Sequence, residues 1–219
     1  MIENKEYFEK HKYRKPTDYV VEAFVAPKLK FIQECGCFGG KKARILDVGS
    51  GNGTFSWHLS KYADVTCIDY SSQLLNDNEC MSKVRGSAYQ LPFSNGLFDI
   101  VFEANMLHHL DHPQSVIEEM ARCSSKYIIV IEPNRYNPLM FLFSWMVASE
   151  KGVRVSFKKR WVDTLAKAGF DITGCIVTGM ISQQNTPRIF IPFLRLFDFN
   201  FWLGEYVVVV GEKRDDKCP

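Results

Sequence analysis

Residues Ile45 to Gly53 read ILDVGSGNG: an apolar run, an acid, and then glycine at every second position. A run such as Ile45-Leu46-Asp47-Val48 is what a buried parallel strand looks like, and Gly49, Gly51 and Gly53 then form the turn that follows it. A turn without side chains lets the backbone approach a ligand closely and take positive φ where it must. The helix expected from Thr54 would point its first N–H groups at the same place, so the stretch predicts a site for something small and partly anionic.

The spacing narrows the ligand. A dinucleotide fingerprint, G-x-G-x-x-G, needs glycine at Thr54, and no Walker loop, G-x-x-x-x-G-K-[ST], occurs in the chain. Val65 to Ile68 reads as a second short strand ending at Asp69, about twenty residues after the first acid, where a ribose-binding carboxylate belongs. Asp69, Ser71 or Ser72 can equally start the helix through Leu74 and Leu75 as an N-cap. Further on, Gly86 to Pro113 reads GSAYQLPFSNGLFDIVFEANMLHHLDHP.

Taken together these segments resemble the class I S-adenosylmethionine (SAM) methyltransferases. The glycine turn is similar to that family's motif I, and the third segment to its G-D-A-x-x-L-P-F…F-D-x-V…L-H-H-L-x-x-P. The resemblance runs from Arg14-Lys15-Pro16 to Lys213. It implies a Rossmann-like, seven-stranded, mostly parallel sheet with helices on both faces and the last strand antiparallel. It implies SAM as cofactor, held by Asp47, Gly49, Ser50, Gly51, Asn52 and Gly53, by Asp69 and Tyr70 at the ribose and adenine, by Ser87, Ala88 and Tyr89, and by Glu103 and Ala104 at the end of strand four. Ser87 departs from the family's aspartate; its hydroxyl still accepts a hydrogen bond but carries no charge.

His108 and His109 lie in a short apolar stretch with Met106, Leu107 and Leu110. Histidines there serve packing or capping, or else act as a base; His108 is the expected catalytic residue if the acceptor is a hydroxyl. No metal is expected, because Cys35 and Cys37 are too close for zinc spacing, no second pair faces them, and the histidines do not recur at ligand intervals. After a fifth strand, Tyr127 to Ile131, comes Glu132-Pro133-Asn134-Arg135-Tyr136-Asn137-Pro138. This E-P-N-x-x-N-P form is similar to one found in bacterial and archaeal small-molecule methyltransferases. Glu132, Asn134 and Arg135 are expected near the acceptor, the alternative being a loop held by asparagine side chains.

Strand and helix patterns alternate along the chain, with helices beginning near Thr54, Ser71, Pro113 and Ser156 and final strands at Ile172 to Val177 and Tyr206 to Val210. One domain, 1–219, accommodates this, with an amino-terminal cap over 1–42 and apolar segments over 136–155 and 181–204. In the apolar segments Phe141, Trp145, Phe193 and Trp202 are expected to face a hydrophobic acceptor. Mutual packing, a dimer face and a peripheral membrane contact are the other readings of these segments. The stretch Pro138 to Ala148 is too short to cross a bilayer.

With 219 residues, a hydrophobic fraction of 46% and a net charge of +2, the chain has enough apolar mass for a core and lacks the basic footprint of a nucleic-acid binder. Seven irregularly placed cysteines and a charged, non-apolar amino terminus fit a cytoplasmic location. The expected function is methyl transfer from SAM to oxygen or carbon of a small hydrophobic acceptor, since the N/D-P-P-Y/F of amide- and base-N-methylating members is replaced by Glu103-Ala104-Asn105-Met106. The alternative is a non-catalytic SAM-binding partner protein.

Overall fold

A computed structural model describes Glu9 and residues 12–38 and 42–214. Seven strands form one sheet: β1 (Ala43–Val48), β2 (Ala63–Asp69), β3 (Ser82–Arg85), β4 (Phe98–Ala104), β5 (Ser124–Pro133), β6 (Phe170–Thr178) and β7 (Tyr206–Lys213). Their spatial order is β3-β2-β1-β4-β5-β7-β6, and β7 runs antiparallel to both of its neighbours. The expected fold class is therefore the one observed.

The central strands show why. Ile45, Leu46, Val48, Ile100, Val101, Phe102 and Ile128 to Ile131 are almost wholly inaccessible to water, as parallel strands covered on both faces must be. Alternate side chains of β5 enter opposite layers. Ile129 and Ile131 join Phe24 and Ile32 of α1 (Tyr19–Glu34) and Phe55 and Leu59 of α2 (Thr54–Leu59). Ile128 and Val130 join Val116 and Met120 of α4 (Pro113–Cys123) and Trp161 and Leu165 of α6 (Lys158–Lys167). A short α3 (Ser72–Asp77) follows β2, with Ser71 rather than Asp69 as its N-cap, accepting from Leu74 N.

Because β1 lies between β2 and β4, connections leave its carboxyl end in opposite directions, and a crevice opens there. Three further pieces border it. The 12–18 segment leads into α1 and is tied across the crevice: Arg14 donates to Thr186 O at 3.0 Å and to the Gln184 side chain at 3.0 Å, and Asp18 pairs with Arg188 at 2.6 Å. The remainder of the expected 1–42 cap, apart from Glu9 and residues 12–38 and 42, lies outside the described residues. Helix α5 (Pro138–Met146) leads into a 3₁₀ segment, Ala148–Val155. Between β6 and β7, 3₁₀ turns at Arg188–Phe190 and Arg195–Phe197 flank the short α7 (Ile191–Leu194).

Candidate active site

A cavity of about 790 Å³ fills the crevice. Its floor is the glycine turn. Gly49, Gly51 and Gly53 have φ of +71°, +52° and +83°, a region that L side chains rarely adopt. A side chain at Gly49 would collide with Met106 and one at Gly53 with the Asn78 amide, whereas at Gly51 it would project into open space. The first and third glycines thus allow close packing, and the middle one keeps the cavity open.

Asp69 accepts from Gly51 N and from Ser71 N, both at 2.8 Å, so its carboxylate is fixed while it lines the cavity. Burial raises its pKa, and the two amides oppose that shift. Asp47 lies deeper: burial pushes its pKa up to about 7 against the hydrogen bond from the Ser56 hydroxyl. On the neighbouring wall Ser87 Oγ accepts from Tyr89 N at 3.2 Å, holding Ser87, Ala88 and Tyr89 in one turn. Asn105 stands out among the described residues as non-glycine with positive φ, 60°, and it too faces the cavity.

Of the residues expected at the cofactor, Asp47, Gly49, Ser50, Gly51, Asn52, Asp69, Tyr70, Ser87, Ala88, Tyr89 and Ala104 line this cavity. Two do not. Gly53 is the N-cap of α2, and Glu103 is wholly buried beneath the floor, where it accepts from Met106 N at 3.4 Å. Burial, with Glu132 as a like charge nearby, holds the Glu103 carboxyl well above its ordinary range.

The polar residues expected at the acceptor act as brackets instead. Glu132 is fully buried and accepts from Leu107 N at 2.9 Å, His108 N at 3.2 Å and His108 Nδ1 at 2.7 Å. Asn134 Nδ2 donates to Trp202 O and Gly204 O, fastening the approach to β7. Asn137 caps α5 by accepting from Met140 N and donates to Leu203 O. Arg135 lies against the rings of Tyr136 and Phe157, away from the cavity. The E-P-N-x-x-N-P stretch is therefore a loop held by its asparagines, as the alternative reading had it.

The aromatic roof is also differently composed. Phe141, Trp145, Phe193 and Trp202 do not line the cavity and are 37%, 63%, 60% and 71% exposed. Leu139, Met140 and Phe143 of α5 line it instead, opposite Met180, Phe190 and Leu194. A helix apolar on every side gives no sequence signal for which face turns inward. Gln183, Gln184, Asn185 and Thr186 add a polar rim that composition alone did not mark. Among the described residues no helix is long and apolar enough to cross a membrane.

His108 lines the cavity, but not as an ordinary imidazole. Its Nδ1 meets Glu132 and its Nε2 lies 3.3 Å from Glu150 Oε2; these carboxylates outweigh burial and raise its pKa to about 9. This differs from the unperturbed imidazole on which the sequence reading of His108 as a base rested. His109 is its opposite: burial and the adjacent His108 lower its pKa to about 3. Behind the far wall, α1 buries Lys28 completely, with Nζ donating to Phe24 O at 2.7 Å and resting on the Phe24 and Tyr206 rings. Burial drives Lys28 down to about 7 and Glu205, which faces the cavity, up to about 7. A lysine inside a helix gives no sequence sign of this.

Residues 46–127 match the family described as a methyltransferase domain. An uncharacterized methyltransferase of Schizosaccharomyces pombe is 34% identical over 101 residues, 37% of this chain and 36% of that protein. Ajmaline N-methyltransferase of Rauvolfia serpentina is 29% identical over 125 residues, 48% of this chain and 43% of that enzyme. The chain thus spans about two fifths of the length of these curated relatives. Among solved structures, a protein from Pyrococcus horikoshii superposes with a TM-score of 0.66 at 17% identity over 95% of this chain and 99% of its own. A SAM-dependent methyltransferase from Thermotoga maritima, described as a possible histamine N-methyltransferase, superposes with a TM-score of 0.65 at 17% identity, covering 90% and 100%. At such identity the structures speak for the fold. The strand order and these superpositions show the Rossmann-like fold, and residues 46–127 carry the similarity to the methyltransferase domain. That similarity implies S-adenosylmethionine as the cofactor. The residues present fit it: an open glycine cradle, a fixed carboxylate at the cavity wall and apolar surface beyond.

Proposed function

We propose that this protein transfers the methyl group of SAM to a small, largely apolar acceptor bound between α5 and the segment that precedes β7. The observation that carries this reading is the continuity of one cavity, from the glycine turn and Asp69 at one end to Leu139, Phe143, Phe190 and Leu194 at the other. Two ligands of different character would share it.

SAM supplies a sulfonium that makes its methyl electrophilic. The protein's part is alignment and exclusion of water. Asp69 has lone pairs to offer a ribose diol beyond the two amides it already accepts. Ser87 to Tyr89 provide a turn for the adenine, with one neutral hydroxyl where the family usually has a carboxylate. The apolar wall holds the acceptor in a dry position. An acceptor that is already nucleophilic requires no protein base.

Oxygen and carbon fit the replacement of N/D-P-P-Y/F by Glu103-Ala104-Asn105-Met106, which disfavours amide and nucleobase nitrogen. Amine nitrogen is different chemistry, and the similarity to an N-methyltransferase acting on ajmaline adds it as a third acceptor atom. Calorimetry with SAM and a coupled assay for S-adenosylhomocysteine release, run against apolar phenols, amines and activated carbon acids, test the proposal. Binding of SAM with turnover of at least one class is the expected result. Binding without turnover, repeated with fractionated cell extract, would favour the non-catalytic partner reading, and no binding would overturn both.

A further inference from the structure

Three ligand-type side chains converge on the cavity wall beyond the glycine turn. His108 and His109 come from the 3₁₀ turn Leu107–His109, and Glu150 from the 3₁₀ segment Ala148–Val155. One ligand atom from each lies within 4.8 Å of the other two, and all three residues line the cavity. Gly152 lets the two pieces meet, because a side chain there would run into the His108 carbonyl.

The far sides of both rings are already fixed. His109 Nδ1 lies 2.9 Å from the Ser149 carbonyl, which can only accept, so Nδ1 carries a proton and Nε2 is the basic nitrogen. His108 Nδ1 donates in the same way to Glu132 Oε2 at 2.7 Å. A carboxylate or carbonyl behind each imidazole is the arrangement that orients histidines toward a metal. His108 Nε2 and Glu150 Oε2 stand 3.3 Å apart. Two ligands about 2.0 to 2.1 Å from one tetrahedral ion are separated by about 3.3 Å. Two imidazoles and one carboxylate suit zinc or a neighbouring first-row divalent ion, whereas calcium and magnesium prefer all-oxygen sets.

We propose that His108, His109 and Glu150 bind one divalent transition cation of the zinc class, supported by Glu132 and the Ser149 carbonyl, with the remaining coordination directed into the cavity. This departs from the sequence reading, which found no metal spacing. The histidines are adjacent in the chain and the third ligand comes from more than forty residues away, so only the fold assembles the set.

The test titrates zinc and cobalt(II) alone into the chelator-treated full chain, by calorimetry and visible absorption. Neither cofactor nor acceptor is present, so the result is independent of the methyl-transfer reading. One cation per chain at micromolar affinity or tighter is expected, with a cobalt spectrum that lacks a thiolate charge-transfer band. His109→Ala and Glu150→Gln should each weaken binding by about tenfold or more, with a folded circular-dichroism spectrum and a cooperative melt retained in chelator. Equal affinity in both folded variants, a thiolate band, or no binding would overturn the site. If either variant fails to fold, histidine NMR of the unaltered chain replaces it: two imidazoles must shift together by one equivalent of zinc, and unshifted rings reject the proposal.

Discussion

Asp47 shows how far one residue's setting can depart from its type. Its carboxyl is 2% exposed and titrates near 7 because burial penalises the charge. In the unfolded chain it ionises near its ordinary 3.8. Between those values the folded protein binds more protons, so the stability that Asp47 contributes is full below about pH 4 and is lost as pH rises toward 7. At about 1.4 kcal/mol for each pH unit between the two values, the loss is a few kcal/mol. Asp47→Asn should therefore raise the melting temperature at pH 7 to 8 relative to the parent and flatten its decline from pH 4 to 7. Parallel melting curves for the two proteins over that range would contradict this. Gly51 and Asp69 report on binding instead. Gly51→Val places a branched side chain in a left-handed conformation that costs about 1 to 2 kcal/mol, and fills open cavity space. Asp69→Asn keeps the shape but removes the charge, and losing a charged hydrogen bond of about 1.5 to 3 kcal/mol should weaken SAM by roughly tenfold to a hundredfold. Calorimetry on folded variants checks both, and unchanged affinity would remove these residues from the cofactor site.

At the scale of elements, the central parallel strands β1, β4 and β5 were legible because each is a short, largely apolar run, and burial on both faces demands that pattern. The turn from β1 to α2 was legible for the same reason: its backbone geometry needs glycine. Contacts made by side chains from distant segments were not. Which face of α5 turns inward depends on how Asn137 caps it and on how Arg154, resting 3.8 Å from the Trp145 ring, holds its outer side. Glu150 reaches the histidines only because Gly152 lies against the His108 carbonyl. Asn134 was expected at the acceptor on its residue type, while its actual partners are carbonyls almost seventy positions later. The element scale carries its own prediction. Phe143→Ala should raise the acceptor's KM severalfold with SAM affinity unchanged, because Phe143 lines the apolar end of the cavity. Trp145→Ala, two residues further along the helix and 63% exposed, should leave KM alone and cost no more than about 1 kcal/mol from the lost contact with Arg154. The reverse ranking in steady-state kinetics would restore the aromatic roof expected from the sequence.

At the scale of the whole molecule, the cavity is bordered by pieces from every part of the described chain. The glycine turn forms its floor, and Tyr13, the ends of β4 and β5 and the 180–194 segment contribute to its walls. Arg14 and Asp18 tie the amino-terminal segment to Gln184, Thr186 and Arg188, while α1 packs Phe24 against Phe55 and Tyr206 in the core. A ligand in this cavity therefore touches both the sheet and its cover, and its binding energy should be felt by one cooperative unit. With free SAM at a hundred times its dissociation constant, linkage adds about 2.7 kcal/mol to the native state. For a domain of this size each kcal/mol moves the midpoint by about 2 to 4 °C, so the shift should be about 5 to 10 °C. Differential scanning calorimetry should show a single transition that moves as a whole. A low-temperature transition unaffected by SAM would mean that the 12–34 segment melts apart from the sheet. Arg14→Ala should then distinguish a tie from a bystander: if Arg14 couples cover to sheet, the variant loses part of the SAM-induced shift, whereas a full shift would show that the cavity binds its ligand without the strap.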